Sequence, residues 1–551
     1  MCGIFALLNY NEITPKIKEC FENGVNRGPE NSSLELYNNT IIGFHRLAIN
    51  GLNELSNQPF KMDGLILICN GEIYNFRELA KTNNISLKTQ SDCEIILHLY
   101  KIFGIEYTLN ILDGVFAFFL YDTNINKCYI ARDPYGVRPL FYFNEENKIG
   151  FASELKSLYN VCNNKNFINN FIPGNYMNIS FDNNKILSYS SKMYTYFPCY
   201  ENIFNTNLYT IIVDSLIQSV KKRVVDTTER PIGCLLSGGL DSSLIAALVN
   251  QELKLSKDKS KAKLQTFSIG LKDSEDLKYA RLVANHLDTD HHEIIVLEKD
   301  FFNAIPEVIK TIESYDTTTV RASVGNYLVA KYIKMMSDCK VIFNGDGADE
   351  LMGGYLYFKK AKNSFVFDYE CKRLLQDIYM FDVLRSDRSI SSHGLEPRTP
   401  FLDRKWVETY LSISKDIRYR STVDNCEKYL IRSAFSDMMP ELLPKEILWR
   451  KKEAFSDGVS GLNRSWFTII NENIQRLCKE DKSLQETLDK NIKDYKKIQI
   501  QNPPTTLEQS YYRYLYNKNY KGTDHLIPYY WMPRFVEAKD ASARTLQVYN
   551  D

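Results

Sequence analysis

The sequence has no excess of either charge sign, few histidines and no long apolar run. Its 68 lysines and arginines balance 68 aspartates and glutamates, and only 7 of 551 residues are histidine. A neutral chain has no general attraction for polyanions, so we expect no nucleic-acid partner. No apolar run approaches the roughly 20 residues that a membrane-spanning helix needs, so we expect no membrane partner either.

The 12 cysteines are scattered singly, without a Cys-x-x-Cys pair. This spacing argues against zinc sites and against a disulfide framework. Scattered thiols in a large chain are typical of a reducing compartment. The N-terminus lacks the charged-then-apolar layout of a secretory signal. We therefore expect a cytoplasmic protein.

What is present is a globular composition, with 44% hydrophobic, 13% aromatic and 25% charged residues. At 551 residues the chain is too long for one ordinary core, so two domains are expected. From about residue 160 to 206 the sequence becomes Asn-rich and irregular. We place the boundary there, with a first domain over 1–190 and a second over 205–551.

One stretch organises the second domain. The apolar run Ile232–Leu236 is long enough for one buried strand, Ser237–Ser243 reads Ser-Gly-Gly-Leu-Asp-Ser-Ser, and a helix-like run follows. Backbone N–H groups of a Gly-rich turn at a helix N-terminus bind phosphate oxygens, and Asp241 can hold the Mg²⁺ that accompanies a nucleotide. A kinase-type P-loop needs a lysine here, and none is present. The alternative is a turn that only caps the helix.

The chain begins Met1-Cys2-Gly3-Ile4. Removal of Met1 would make Cys2 terminal, with its thiol (pKa about 8.5) beside an α-amine (pKa about 7.7–8) that can serve as its base. Taken alone, these residues also fit a buried cysteine at the start of a strand.

Six further motifs follow in order, and together they resemble the class II, N-terminal-nucleophile glutamine amidotransferases. The motifs are Asn26–Glu30, Phe44–Ile49, Cys69–Asn75, Ser91–Glu94, Arg132–Phe141 and Phe151–Lys156. The resemblance implies the αββα sandwich of antiparallel sheets of Ntn hydrolases, and alternating apolar runs such as Leu65–Cys69 agree with antiparallel strands. Asn26 departs from the family, which usually has histidine before Arg27, so the Arg27 loop is expected to be supported differently.

The resemblance also implies a role for each site residue of this first domain. Cys2 would attack the side-chain carbonyl of glutamine, forming a thioester and releasing ammonia, while the Asn70 amide and the Gly71 N–H stabilise the oxyanion. Arg46 would bind the α-carboxylate, and Glu72 and Asp92 the α-ammonium. The implied glutamine-binding residues are Arg46, Leu47, Ile49, Asn70, Gly71, Glu72 and Asp92.

Ser237–Ser243 resembles the SGGxDSS loop of the ATP pyrophosphatases, which cut ATP between the α- and β-phosphates. Further motifs resemble the asparagine synthetases within that group: Thr317–Ser323, Asn344–Glu350, Gly394–Asp403 and Trp449–Val459. The resemblance implies an α/β domain with a parallel sheet, similar to the adenine-nucleotide α-hydrolases. It also implies a homodimer.

This second resemblance again carries implied site residues. The ATP-binding residues are Leu235, Ser237, Gly238, Gly239, Asp241, Ser242, Ser243, Ile269, Asn344 and Gly345. Asp241 and Asp349 would hold Mg²⁺. Arg321, Asp346 and Lys452 would act on aspartate and its adenylate, with Lys452 opposing the charge that builds on the α-phosphoryl group. Asp346 departs from the family, which has glutamate there, and we expect retained function.

The implied reaction makes L-asparagine from L-aspartate and L-glutamine, through a β-aspartyl-AMP intermediate, with release of AMP, pyrophosphate and glutamate. Because bulk water would protonate and dilute ammonia, we expect a covered passage between the sites. Three alternatives stay open. They are a related synthetase such as a β-lactam synthetase, an ammonia-dependent enzyme or plain glutaminase, and a non-catalytic nucleotide-binding or scaffold protein.

Overall fold

The computed structural model describes most of the chain. The described residues are 1–182, 185–195, 197, 203, 207–225, 228–256, 263–461, 464–497, 501–538 and 540–542. They divide into two compact units. The first unit consists of Met1–Phe197, Lys222–Pro231 and Ser391–Pro397, and the second contains the other described residues.

The first unit has two antiparallel sheets, with strand orders β10-β8-β9-β1-β3-β2 and β12-β11-β7-β6-β5-β4. The strands are β1 (Gly3–Leu8), β2 (Asn31–Tyr37), β3 (Thr40–Arg46), β4 (Phe60–Met62), β5 (Leu65–Ile73), β6 (Gly114–Asp122), β7 (Lys127–Arg132), β8 (Phe141–Glu145), β9 (Lys148–Ala152), β10 (Ile168–Asn170), β11 (Asn175–Asp182) and β12 (Lys185–Met193). The helices are α1 (Pro15–Glu22), α2 (Phe76–Thr82), α3 (Ile95–Ile111) and α4 (Leu155–Tyr159).

The two-residue period of the strands decides which side chains face the space between the sheets. In β5, Ile66 and Ile68 pack in the inter-sheet cluster with Ile4 of β1, whereas the alternate residues pack on the side of α2 and α3. Asn70 is in phase with Ile68, and Cys2 is in phase with Ile4. Both residues therefore face the space between the two sheets, and the predicted αββα sandwich is confirmed.

Beyond residue 207 the chain forms a five-stranded sheet, four strands of which are shown to be parallel, together with helices. The strands are β13 (Ile232–Leu235), β14 (Gln265–Gly270), β15 (Asp290–Ile295), β16 (Val341–Phe343) and β17 (Glu396–Arg398). The helices are α5 (Leu208–Val225), α6 (Leu240–Leu255), α7 (Glu275–Leu287), α8 (Glu298–Asn303), α9 (Ile305–Ile312), α10 (Thr317–Met336), α11 (Ala348–Met352), α12 (Ser364–Asp377), α13 (Asp382–Ser391), α14 (Arg404–Leu411), α15 (Lys415–Asp424), α16 (Tyr429–Met438), α17 (Lys445–Leu448), α18 (Phe455–Gly458), α19 (Trp466–Glu480), α20 (Lys482–Lys497) and α21 (Leu507–Tyr520).

The parallel strands lie in the order β15-β14-β13-β16, which confirms the predicted α/β fold of the second half. The Ser-Gly-Gly turn joins β13 to the first turn of α6, as the sequence predicts. Parallel strands end at one edge of the sheet, which is where such folds bind ligands. The loops after β13, β14 and β16 therefore form one edge. Within the described ranges, no helix is long and apolar enough to cross a membrane.

The inter-sheet core of the first unit gives a stability prediction. Ile68 is fully buried in that core, whereas Leu36 on β2 is 40% exposed. We expect Ile68→Ala to lower the free energy of unfolding by about 2–5 kcal/mol, because it removes buried methyl groups and leaves a cavity. Leu36→Ala is the matched control and should cost about 1 kcal/mol or less. Urea unfolding followed by circular dichroism measures both, and equal losses would contradict the assigned core.

Candidate active sites

The Asn70 carboxamide is the most unusual polar group of the first unit. It is fully buried on β5, and neither its Nδ2 nor its Oδ1 atom has a hydrogen-bond partner among the described residues. An unpaired buried amide costs about 1–3 kcal/mol, so native proteins rarely keep one without a role. The next residue, Gly71, lies so close to β6 that a Cβ would come within 2.5 Å of the Val115 carbonyl oxygen. Asn70 therefore has an amide N–H free to stabilise an oxyanion.

Cys2 packs against the hydrophobic cluster between the two sheets. Its Sγ contacts the Leu47 carbonyl oxygen at 3.6 Å. Burial raises the pKa of the thiol, which therefore needs a base to become a nucleophile. In the structure Met1 precedes Cys2, and burial lowers the pKa of the Met1 ammonium to about 6. Removal of Met1 stays a prediction, and it would give Cys2 its own α-amine as that base.

Arg27 anchors the backbone of Cys2. Its Nε donates to the Cys2 carbonyl oxygen at 2.9 Å, and its Nη1 donates to Glu154 Oε1 at 3.2 Å and to Ser391 Oγ at 2.9 Å. Asn26, the residue that differs from the family motif, is exposed. The Arg27 loop is therefore held by these buried partners, without a charged side chain at position 26.

Arg46 is buried, and its guanidinium is engaged with the loop that follows β3. It donates to the carbonyl oxygens of Asn50, Gly51 and Asn53 and, at 2.7 Å, to Asn57 Oδ1. Four polar contacts to residues 50–57 occupy both terminal nitrogens. To bind a carboxylate, Arg46 would exchange some of these loop oxygens for the ligand.

Two buried acids, Glu72 and Asp92, are the residues predicted to bind the α-ammonium group of glutamine. Glu72 Oε2 accepts from Asn50 Nδ2 at 3.1 Å, and Asp92 Oδ2 accepts from the Ile73 backbone N–H at 2.6 Å. Burial raises the pKa of Asp92 to about 6. A ligand ammonium would favour the ionised carboxylates, as the predicted role requires. Ile49, also predicted here, is buried.

A cavity opens at the carboxyl edge of the parallel sheet in the second unit. The predicted residues that line it are Leu235, Ser237, Gly239, Asp241, Ser242, Ile269, Asn344, Gly345, Asp346, Asp349 and Lys452. Gly238 and Ser243 are not in its lining. Gly238 has φ +71°, and a Cβ there would come within 2.4 Å of the Tyr279 backbone, so it shapes the turn. Ser243 is fully buried in α6.

The structure does not place Arg321 in the lining of this cavity. Its guanidinium is buried between two acids, with Nε 2.8 Å from Glu508 Oε1 and Nη1 2.8 Å from Asp540 Oδ1. Its neighbours on α10, Thr318 and Ala322, line the cavity instead. In this arrangement Arg321 secures the C-terminal segment to α10.

The two predicted metal ligands, Asp241 and Asp349, both contact the ammonium group of Lys428. Lys428 Nζ lies 2.8 and 2.6 Å from the two carboxylate oxygens of Asp241 and 2.7 Å from Asp349 Oδ1. Lys452 Nζ donates to the other Asp349 oxygen. Although burial opposes ionisation, these two ammonium groups lower the pKa of Asp349. Carboxylate oxygens that converge on one point are the donors that Mg²⁺ prefers, with water and phosphate completing its shell, so the residues fit this ion.

Asp346 also lines the cavity and is held by Arg385. Arg385 Nη2 donates to Asp346 Oδ1 at 3.0 Å and to Asp382 Oδ1 at 2.8 Å. Burial raises the pKa of Asp346, and the guanidinium opposes that effect. Tyr355 donates a hydrogen bond to Asp382 at 2.9 Å, and a second contact joins it to Glu350. The shorter acid at 346 thus has a fixed cationic partner in the cavity.

Sequence reasoning missed several basic residues of this cavity, among them Lys428, Arg385 and Arg450. Lys428 stands between a polar stretch and the helix α16, where an isolated lysine is typical of a solvated surface. Arg385 lies within α13, among charged residues of both signs. Arg450 belongs to a motif identified from the sequence, but its pairing with Asp276 at 2.9 Å was not expected. No local pattern signals the contacts of these residues with Asp349, Asp346 and Asp276, because these three partners are at least 39 residues away in the chain.

Two family models match the chain. A model described as "Glutamine amidotransferase domain" matches residues 1–198, and one described as "Asparagine synthase" matches residues 212–369 and 362–494. Curated relatives named "Asparagine synthetase [glutamine-hydrolyzing]" are 42% identical in Gallus gallus, 41% in Bos taurus and 40% in Mus musculus. Each similarity covers 100% of this chain and 99% of the relative.

The raised pKa of Asp92 predicts how glutamine use depends on pH. The predicted role of Asp92 in binding the α-ammonium requires an ionised carboxylate, so the KM for glutamine should rise as the pH falls through about 6. We expect kcat/KM for glutamine hydrolysis to fall about tenfold per pH unit below that point. Glutamate release measures it. The Asp92→Asn variant should have a low kcat/KM for glutamine hydrolysis that no longer depends on pH in this range. An unchanged pH profile of kcat/KM in that variant would contradict the assignment.

Proposed function

The chain belongs to the glutamine-hydrolysing asparagine synthetase family, and from this membership we propose which of its residues carry each step of the reaction. The enzyme is a ligase that uses ATP to make L-asparagine from L-aspartate, with glutamine as the nitrogen donor. Class II amidotransferase chemistry supplies the ammonia.

Cys2 carries the glutaminase step, after removal of Met1. Its thiol transfers a proton to its own α-amine and attacks the side-chain carbonyl of glutamine. The tetrahedral intermediate collapses to a thioester as its C–N bond breaks, and the α-ammonium returns the proton to the departing ammonia. Water then hydrolyses the thioester, which releases glutamate and frees Cys2. The Asn70 Nδ2 and the Gly71 N–H stabilise the oxyanion. Arg46 binds the α-carboxylate and Glu72 and Asp92 bind the α-ammonium, in a pocket completed by Leu47 and Ile49. The unpartnered, buried Asn70 carboxamide supports this assignment most directly.

The second cavity carries adenylation. Leu235 and Ile269, at the ends of β13 and β14, flank the adenine, and the turn of Ser237, Gly238 and Gly239 binds phosphate with its N–H groups. Ser242, Ser243, Asn344 and Gly345 complete the ATP-binding set. The β-carboxylate of aspartate attacks the α-phosphorus, pyrophosphate leaves, and ammonia then displaces AMP from β-aspartyl-AMP.

Charged side chains control this second step. Lys452 opposes the negative charge that develops on the α-phosphoryl group. Asp346, oriented by Arg385, acts on the aspartate and its adenylate, and Arg321 supports this side of the cavity through α10. Asp241 and Asp349 would hold Mg²⁺, which neutralises the triphosphate when bound. The observation that carries the proposal is the convergence of Asp241, Asp349 and Lys452 in one cavity beside the Ser-Gly-Gly turn.

Three coarser features complete the proposal. We assign residues 1–190 to the glutaminase domain and 205–551 to the synthetase domain, and the matches of the two family models to residues 1–198 and 212–494 support this division. The enzyme works in the cytoplasm on small-molecule substrates, without nucleic acid or membrane partners. It forms a homodimer, as the family resemblance implies, and sedimentation of the full chain measures that state.

Changing the nitrogen donor tests the division of labour. We expect Cys2→Ala to lose glutamine-driven asparagine synthesis by at least about 1000-fold, because no other group replaces the nucleophile. Synthesis from ammonium should stay within about twofold, since adenylation uses other residues. Pyrophosphate release and asparagine formation are measured with each donor. Cys20→Ala, a buried thiol on α1, is the matched control. Persistent glutamine-driven synthesis in Cys2→Ala would refute the assigned nucleophile.

Position 346 tests the synthetase site separately. We expect Asp346→Asn to reduce aspartate-dependent pyrophosphate release about 100-fold, because it removes a fixed charge from the cavity. Glutamine hydrolysis should be unchanged. Asp346→Glu, which restores the family residue, should keep at least half of the activity, roughly the effect of a tolerated substitution. The exposed Asp338→Asn is the control. Full pyrophosphate release by Asp346→Asn would remove Asp346 from the mechanism.

A further inference from the structure

Lys428 lies at the point where the two proposed metal ligands converge. Its ammonium contacts three carboxylate oxygens of Asp241 and Asp349 at 2.6–2.8 Å, and its side chain is only 1% exposed. Asp241 stands 187 residues from Lys428 in the chain, so the contact depends entirely on the tertiary fold. A buried lysine that bridges two acids is not a solvated surface group.

The backbone holds Lys428 in this place at some cost. It has φ +57° and ψ +28° at the start of α16, a left-handed conformation that is uncommon for a residue with a side chain. Arg432 fixes the preceding residue, donating to the Glu427 carbonyl oxygen at 2.9 Å and to Glu427 Oε1 at 2.6 Å. Strained residues that are over-determined by their surroundings concentrate at functional sites.

The same glutamate connects Lys428 with the adenylation lysine. Glu427 Oε1 also accepts from the Lys452 backbone N–H at 3.0 Å. The side chains of Lys428 and Lys452 then contact different oxygens of Asp349. Glu427, the neighbour of Lys428, therefore binds the backbone of Lys452, and Asp349 binds the side chains of both lysines.

The Lys428 ammonium occupies the carboxylate oxygens that a divalent cation at this site would need. Asp241 and Asp349 carry two negative charges, and Lys428 and Lys452 carry two positive charges, so this group of four is neutral. A divalent cation bound by the two carboxylates needs the oxygens that the Lys428 ammonium contacts, and it repels that ammonium at short range. Lysine has a flexible stem and a compact charge, so it can leave the carboxylates and turn towards phosphate.

We propose that the Lys428 ammonium competes with Mg²⁺ for the carboxylate oxygens of Asp241 and Asp349. It holds Asp241 and Asp349 together until the metal arrives with a phosphate chain, yields the carboxylate oxygens to the metal, and then donates to the phosphate oxygens. When Mg²⁺ binds alone, it displaces the Lys428 ammonium, which then gains no other contact. When Mg²⁺ binds together with phosphate, the displaced ammonium donates to the phosphate oxygens instead. Lys428 thereby couples metal binding to nucleotide binding. The inference rests on the proposed assignment of Asp241 and Asp349 to Mg²⁺.

Thermal unfolding of the full chain with Mg²⁺ alone tests the competition. MgCl₂ is titrated against NaCl of equal ionic strength, and the rise in Tm gives the half-saturating Mg²⁺ concentration. We expect this concentration to fall at least about fivefold in Lys428→Met, because the competing cation is gone. Lys428→Arg, which keeps the charge, and the exposed Lys445→Met should stay within about twofold of the unchanged chain. Lys428→Gln repeats the measurement with a polar side chain in case the methionine variant folds poorly.

Inorganic pyrophosphate with saturating Mg²⁺ supplies the second arm, measured by calorimetry. Lys428→Met should bind pyrophosphate about tenfold more weakly, because one charge-assisted contact is lost. Opposite changes for metal alone and for metal with pyrophosphate support the inference, since a purely structural lysine would weaken both. Equal Mg²⁺ midpoints in Lys428→Met and the unchanged chain would overturn it.

Asp241→Asn separates this inference from the proposed metal site. If Asp241→Asn removes the Mg²⁺ response while Lys428→Met responds like the unchanged chain, the metal site stands and only the role of Lys428 fails. If Asp241→Asn leaves the Mg²⁺ response intact, the assignment of the metal site fails, and the inference about Lys428 fails with it.

Discussion

The pairing of buried carboxylates with cations is the constraint on which the synthetase site depends. The Asp349 side chain is 15% exposed, and it stays ionised because Lys428 and Lys452 contact its two oxygens. Removing one partner from such a group leaves an uncompensated buried charge, which is strongly destabilising. The loops after β13 and β16 and the segments around residues 428 and 452 must therefore keep their relative positions.

The glutaminase unit meets the same constraint with backbone oxygens. Arg27 binds the Cys2 carbonyl group, and Arg46 binds carbonyl groups of the loop over residues 50–57. Both guanidiniums are thus fixed before any ligand arrives. Asn70 is the exception, because its buried amide has no partner among the described residues. A site whose charged groups are paired, while the amide proposed as the oxyanion donor is left unpaired, is organised for the transition state.

The departures from the family motifs are explained by these pairings. Asn26 is exposed, and Arg27 reaches Glu154 and the backbone of Cys2 without it. Asp346 is one methylene shorter than the family glutamate, yet Arg385 holds its carboxylate at the cavity wall. At both positions a buried arginine sets the local geometry, and the residue that departs from the family does not. The surrounding structure is therefore kept despite the substitution.

The sequence alone determined what depends on local pattern. The two-residue period of β5, and of the segment that leads into β1, directs Asn70 and Cys2 towards the space between the sheets. An apolar run followed by Ser-Gly-Gly and a helix places a phosphate-binding turn at a strand end. Only the tertiary structure decided which distant charges meet. Lys428 bridges Asp241 and Asp349, Arg385 holds Asp346, and Arg321 pairs with Glu508 instead of lining the cavity. Periodicity specifies the face of an element, whereas a buried ion pair depends on the path of the whole chain between its partners.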